Sequence, residues 1–349
     1  MHEKLLRLCF FAERCVILEV NKIRQPPGCS KGVNEIMKEY AFGIDLGGTT
    51  AKIGLFTTAG ALLEKWEVPT DTSNAGEHIL ENLAAAIMGK MQEKAIPAEQ
   101  VEGVGIGVPG PVLDSSVVPI VCANLGGWGQ RNVSAQLSGL LDGLKVLVGN
   151  DANVAALGEI WMGAAKGCRS AVMVTLGTGV GGGIVADGQL LEGVGGTGAE
   201  VGHTVLVLDG EDCTCGRKGC WEAYASATAL IRQGKRAAAA QPDSLLAGYG
   251  EGLTGKDVFD AAAAGDAAAQ AVVDRYCVYV AAGITDLVNI LGPEMVLIGG
   301  GISRQGERLL APIRAYVAAN CFGGHDRTPP VIECARLGNE AGIIGAAAL

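Results

Sequence analysis

The chain has 349 residues, 49% hydrophobic and 18% charged, which excludes wholesale disorder and supplies enough apolar surface for about two ordinary domains. Lys and Arg number 27 against 37 Asp and Glu, a formal charge of −10 that opposes binding to nucleic acid or to an anionic membrane. With no apolar run long enough to span a bilayer and no signal-peptide core, the 11 cysteines read as reduced thiols or metal ligands in a cytoplasmic protein.

Residues 1–36 differ from the rest. They hold Pro26-Pro27-Gly28 and Cys9, Cys15 and Cys29 with no sustained period, and convincing pattern begins only at Met37. We read them as an N-terminal extension outside the native protein, with the start at Met37. A native N-terminal peptide beginning at Met1 would refute that start.

From residue 40 strand-like and helix-like patterns alternate. Residues 40–45, 52–56 and 62–68 read as strands in a meander, and 81–94 as a helix stacking Leu83, Ile87 and Met91 on one face. Residues 101–108 and 145–148 read as buried strands, and Val154, Leu157 and Trp161 as the inner face of a further helix. The expected class is α/β. Asp45-Leu46-Gly47-Gly48-Thr49 followed by Ala59-Gly60-Ala61-Leu62-Leu63-Glu64 is echoed by Thr175-Leu176-Gly177-Thr178-Gly179 followed by Asp187-Gly188-Gln189-Leu190-Leu191-Glu192. A duplicated unit with one Gly/Thr turn in each half suits two lobes gripping one ligand.

Gly is used 53 times, roughly twice the ordinary share, and clusters where apolar runs end. In each Gly/Thr turn consecutive N–H groups form an anion-binding hollow, glycine lets the ligand approach, and Thr hydroxyls add donors. Asp45 beside the first turn repels phosphate unless Mg²⁺ lies between them. No Gly-x4-Gly-Lys-Ser/Thr occurs, which excludes P-loop chemistry. The Gly-x-Gly-x-x-Gly matches at Gly105, Gly177 and Gly193 lack the strand-to-helix context of a dinucleotide site.

His203, Cys213, Cys215 and Cys220 offer one imidazole and three thiolates within eighteen positions, a closed tetrahedral set that reads as structural Zn²⁺. Glu200 and Glu222 flank it, and carboxylates tied to a rigid metal knot are suited to accept hydrogen bonds from a polyol. His2, His78 and His325 have no such company and read as surface residues. Asn150-Asp151 closes a strand and opens a helix. Local sequence leaves two roles open, a plain N-cap, or a base for a substrate hydroxyl (Asp151) with Asn150 orienting the ring.

With these pieces the chain, from about Tyr40 onward, resembles the ROK family of bacterial sugar kinases and repressors. The motifs are Asp45-Leu-Gly-Gly-Thr-Thr, Asn150-Asp151-Ala-Asn, Leu176-Gly-Thr-Gly-Val-Gly-Gly-Gly, Glu200-Val-Gly-His203, Cys213-x-Cys-Gly-x-x-Gly-Cys-Trp-Glu222 and Val296-Leu-Ile-Gly-Gly-Gly-Ile-Ser303. It resembles in particular the family's glucokinases from Gram-positive bacteria. The resemblance implies a two-lobed actin/hexokinase-like (ribonuclease H-like) ATPase fold with a central interdomain cleft. The small lobe then spans 37–152 and is completed by a helix in 339–349; the large lobe spans 153–338 and carries the zinc element 203–220.

The implied activity is ATP-dependent phosphorylation of glucose at the 6-hydroxyl, with Mg²⁺ accompanying ATP, structural Zn²⁺ and a homodimer or homotetramer. The resemblance makes Asp151 the general base and Asn124, Asn150, Asp151, Glu200, His203 and Glu222 the sugar ligands. ATP would be held by Asp45, Gly47, Gly48, Thr49, Thr50, Lys52, Gly177, Thr178 and Gly179, with Gly299, Gly300 and Gly301 against adenosine. Mannose, fructose, N-acetylmannosamine, N-acetylglucosamine and allose kinases share these motifs. A sugar-responsive repressor of the same family needs a DNA-binding module, and residues 1–36 are too short and too interrupted for one. A polymerising actin-like ATPase has no use for the sugar and zinc elements.

Overall fold

Two sheets with one strand order carry the molecule. The computed structural model describes residues 38–349 apart from Arg327; the extension 1–36, the Met37 start and His2 lie outside the described residues. In the first half come β1 (Tyr40–Leu46), β2 (Thr50–Thr57), β3 (Leu62–Pro69), α1 (Ile79–Glu93), β4 (Val101–Val108), β5 (Val117–Cys122), β6 (Trp128–Asn132), α2 (Val133–Leu140) and β7 (Val146–Asn150). The second half holds α3 (Asp151–Trp161), β8 (Ala171–Leu176), β9 (Val180–Ala186), β10 (Gln189–Leu190), α4 (Glu222–Ala225), α5 (Ala227–Ala240), α6 (Gly255–Ala263), α7 (Ala267–Leu291), β11 (Met295–Gly299), α8 (Glu307–Asn320), β12 (Val331–Cys334) and α9 (Ala341–Ala347).

The first sheet runs β3-β2-β1-β4-β7 and the second β10-β9-β8-β11-β12; in each, the first three strands form an antiparallel meander and the last two continue parallel to its first. The echo in the sequence is therefore an echo in topology. The copies differ at the turn. Leu46 pairs with Ala51 and Asp45 with Lys52, whereas Leu176 pairs with Val180 and Thr175 with Gly181. The second turn is one residue shorter, and only the first hairpin carries a charged cross-strand pair.

Alternation along β1 decides what lies on each face of the first sheet. Phe42 and Ile44 point into a core with Val104, Ile106, Leu83, Ile87 and Leu137, while Gly43 and Gly105 point the other way, to α9. There a Cβ at Gly43 would overlap the Ile343 carbonyl oxygen, and one at Gly105 the Ala346 carbonyl oxygen. These glycines exist for helix–sheet contact, which explains why the Gly105 fingerprint match has no cofactor meaning. Gly105→Ala is expected to cost ~1–3 kcal/mol through overpacking, read as a lower urea midpoint with an unchanged slope.

The second sheet buries Val172, Val174 and Ile184 against α5–α8, and presents Ala171, Met173 and Val185 to Ala156 and Ile160 of α3. Helices α3 and α9 thus line the inner faces of the two sheets and pack on each other. A Cβ at Gly345 would overlap the Val154 carbonyl oxygen, and one at Gly158 would lie 2.5 Å from that of Ala341. This double burial corrects the expected inner face of α3. Asn153, Val154, Ala156, Gly158, Glu159 and Ile160 are buried, while Leu157 and Trp161 are only half-buried. Buried Glu159 is satisfied by the N–H groups of Ala164 at 2.8 Å and Leu337 at 2.7 Å.

Candidate active site at the seam between the sheets

The chain crosses from one sheet to the other at Asn150-Asp151, at the carboxyl end of β7. The charge of Asp45, just before the first Gly/Thr turn, acts on Asp151, and a Cβ on Gly181, two residues past the second turn, would lie 3.7 Å from the Ala152 Cβ at the start of α3. Asn150 caps α3. Its Oδ1 accepts from Ala152 N at 3.0 Å and Asn153 N at 3.1 Å, and its Nδ2 donates to the Gly110 carbonyl at 3.0 Å. The bland reading of Asn150 is thus realised, leaving one amide hydrogen to face a ligand.

The Asp151 carboxylate accepts from Ala152 N at 2.8 Å and is reached by solvent. The surrounding walls nonetheless displace enough water to push its pKa above the usual carboxylate range. The Ala152 N–H offsets part of this rise, and the charges of Asp45 and Glu200 add to it. Asp45, from β1, is raised by burial and drawn back by Lys52, whose Nζ lies 3.9 Å from Oδ2. Three carboxylates thus share one neighbourhood with one lysine, an arrangement that favours an arriving cation.

The first turn is closed by Gly47 N–H to Thr50 O at 3.1 Å and held by the Thr70 hydroxyl on the Gly47 carbonyl at 2.7 Å. Thr49 is exposed at its tip, and Gly48 lies so near Asn124 that a Cβ would stand 2.5 Å from the Asn124 carbonyl oxygen. Asn124 and Glu200 are exposed. The second turn is closed by Gly177 N–H to Gly179 O at 3.0 Å, with Thr178 exposed and open space beside Gly177. Gly300, at φ 83°, packs against the Leu176 backbone, which brings 299–301 alongside this turn; Gly301 faces open space.

The four metal-type donors converge. The ligand atoms of His203, Cys213, Cys215 and Cys220 all lie within 4.8 Å of one another, with His203 Nδ1 3.7 Å from Cys213 Sγ and Cys215 Sγ 3.7 Å from Cys220 Sγ. Donors about 2.0–2.3 Å from a tetrahedral zinc stand roughly 3.6–3.8 Å apart, so the set fits. Burial, then the neighbouring thiols, push the Cys220 thiol up to about 12, a cost that a cation in the knot offsets. With Nδ1 turned into the knot, His203 keeps Nε2 for another partner.

Glu222 does something its sequence position did not reveal. Its Oε2 accepts the Val180 N–H at 2.9 Å and sits where a Cβ on Gly179 would be, while Oε1 accepts the Thr214 hydroxyl at 3.1 Å and lies 3.8 Å from Cys213 Sγ. Ala227 N–H donates to Gly177 O at 2.8 Å, and the Thr228 hydroxyl to Thr178 O at 2.8 Å. The segment directly after the last thiol therefore grips the second turn at three points. Thr70 and Thr228 were missed. Each bonds a turn carbonyl 23 or 50 residues away, and no local spacing signals such a contact.

A pair of five-stranded sheets with one strand order, a turn of Gly and Thr in each, and an aspartate at the seam define a protein of the actin/hexokinase-like class. The ROK family model matches residues 41–349. A glucokinase of Halalkalibacterium halodurans is 41% identical over 311 residues, covering 87% of this chain and 92% of that one. A ROK family glucokinase from Streptomyces griseus, crystallised with glucose and AMPPNP, is 36% identical with TM-score 0.70, covering 88% of this chain and 98% of that one. The ROK hexokinase from Thermus thermophilus is 34% identical with TM-score 0.74, covering 88% and 97%. The chain belongs to the ROK family.

Proposed function

We propose that this protein transfers the γ-phosphoryl group of ATP to the 6-hydroxyl of glucose. The observation that carries this reading is 41% identity to one glucokinase and 36% to another solved with glucose and an ATP analogue; the charge of Asp45 acting on Asp151 and the approach of Gly181 to Ala152 support it. The lobes are 37–152 with 339–349, and 153–338, and they meet across α3 and α9.

ATP lies with its phosphates between the turns at Gly47–Thr50 and Gly177–Gly179, Lys52 beside them, and adenosine against Gly299, Gly300 and the open face of Gly301. Glucose lies between Asn124, Asn150, Asp151, Glu200 and His203 Nε2. Glu222 braces the turn, and each of its carboxylate oxygens, with one present partner, keeps an acceptor position for a sugar hydroxyl. Asp151 orients the 6-hydroxyl and receives its proton as the oxygen attacks in line, and the upward shift of its pKa makes it a stronger base than a solvated aspartate. Closure of the lobes excludes water, and positioning supplies most of the rate.

Mg²⁺, carried in with ATP and held near Asp45, supplies charge neutralisation. Zn²⁺ in the knot of His203, Cys213, Cys215 and Cys220 supplies rigidity and no chemistry. Three thiol ligands, Cys215 exposed and Cys213 and Cys220 buried, suit a reducing compartment, and we place the protein in the cytoplasm; among the described residues no helix is long and apolar enough to cross a membrane. A homodimer or homotetramer rests on the family resemblance alone.

A coupled ADP-release assay over glucose, mannose, fructose, allose and the two N-acetylhexosamines tests the reading. Glucose should give the highest kcat/KM, with no ADP released in the absence of sugar. Preference for another hexose would reassign the substrate; sugar-independent hydrolysis would overturn the transfer.

A further inference from the structure

A cavity of about 310 Å³ opens among α4, α5 and α7. Its wall includes Glu211, Tyr224, Arg232, Arg236, Arg275 and Tyr279, the charged members of its lining being three guanidinium groups and one carboxylate. Two positive charges in excess, in a chain whose formal charge is −10, make this hollow an exception to its surface.

The internal partners do not use this charge up. Arg236 forks onto Glu211, with Nη2 to Oε2 at 3.0 Å and Nη1 on Oε1. That leaves little of Glu211 for Arg232, whose Nε lies 3.7 Å from Oε2 and is buried with no hydrogen-bond partner. Arg232 Nη2 is spent on the Ala223 carbonyl. Arg275 lies over the Tyr279 ring at 5.9 Å and, among the described residues, meets no carboxylate. The Tyr224 hydroxyl accepts from Glu211 N at 2.7 Å, so its own proton is left to donate.

Arg232 Nε, the Arg275 guanidinium and the Tyr224 O–H are left as donors beside the side-chain amides of Gln233 and Gln241, and a buried charged donor such as Arg232 Nε without an acceptor is costly. We propose that this cavity is a binding site for the phosphate group of a small phosphorylated metabolite, separate from the phosphate turns at the seam. A dianionic monoester matches the two excess charges and offers three oxygens to Arg232 Nε, the Arg275 guanidinium and the Tyr224 O–H. The remaining volume, walled by Val272, Ala268 and the two tyrosines, takes the organic part. Tyr224 and Glu222 share the single turn of α4, so an occupant touches the back of the segment that grips the second turn.

The test uses the full chain with zinc bound, and with glucose and AMPPNP saturating so that the seam is filled. Titration calorimetry with inorganic phosphate and with glucose 6-phosphate, against chloride at equal ionic strength, should give one site per chain. Arg275 is exposed on α7, so Arg275→Gln should fold normally and keep its phosphate-free turnover while weakening binding by about tenfold or more, the loss expected of a charge-assisted hydrogen bond. Arg232→Gln should weaken binding as well, and Arg275→Lys should fall between. Tighter binding of glucose 6-phosphate than of phosphate would identify a sugar phosphate as occupant, and the reverse the free ion. Absence of binding with the seam filled, or unchanged affinity in both glutamine variants, would overturn the proposal.

Discussion

Asp151→Ala should lose ~10²–10⁴ in kcat, the usual worth of a positioned base, while glucose still binds. Its effect on stability should run the other way. Burial and the charges of Asp45 and Glu200 raise the Asp151 pKa in the folded protein, so the folded state prefers the protonated, neutral group. For a carboxyl raised on folding, the favourable contribution is full below the unfolded pKa and is lost as pH rises through the folded one. At pH 7 the ionised side chain therefore destabilises the fold. Asp151→Asn, which keeps an acceptor for the Ala152 N–H, should raise the melting temperature at pH 7 while turnover collapses, and the gain should vanish at pH 3. The same shift places the acid limb of kcat/KM above the ordinary aspartate range, and Glu200→Gln should move it lower. Near-wild-type turnover in Asp151→Ala would remove Asp151 from the role.

The second large effect concerns the metal. Because Glu222, Ala227 and Thr228 grip the turn at 177–179 directly after Cys220, loss of zinc should loosen the nucleotide side as well as the sugar side. Chelated protein, or Cys220→Ser, should melt several degrees lower and bind both glucose and a fluorescent ATP analogue more weakly. Its kcat/KM should fall roughly 10–100-fold, as when the support of a rigid site is removed. Readdition of zinc to the chelated wild type should restore all three. A metal-free preparation with unchanged ATP-analogue affinity would show that the turn stands without the knot, and normal sugar binding would dismiss the metal altogether.

What the sequence disclosed and what it withheld divide along a physical line. Strands β1, β2, β3 and β4 were legible because a meander between solvent and core alternates or runs apolar and ends at Gly, and Leu83, Ile87 and Met91 were legible because α1 buries a single face. Helix α3 was not, since it is packed on one side by α9 and on another by β8 and β9; with several faces buried, a single stripe through Leu157 and Trp161 misleads. The knot was legible because its four donors sit within eighteen residues. The brace from Glu222 to Val180 spans 42 residues, and the ring of donors around the cavity draws on α4, α5 and α7 together. Contacts of that kind are written only in the folded chain.

One measurement bears on the central claim without intermediaries, the ³¹P spectrum of the product formed from ATP and glucose. Transfer to the 6-oxygen predicts loss of the γ-phosphate resonance and appearance of a monoester whose phosphorus couples to two protons of a CH₂ group, with no reaction for 6-deoxyglucose. A monoester coupled to a single proton, or inorganic phosphate alone, would contradict the account.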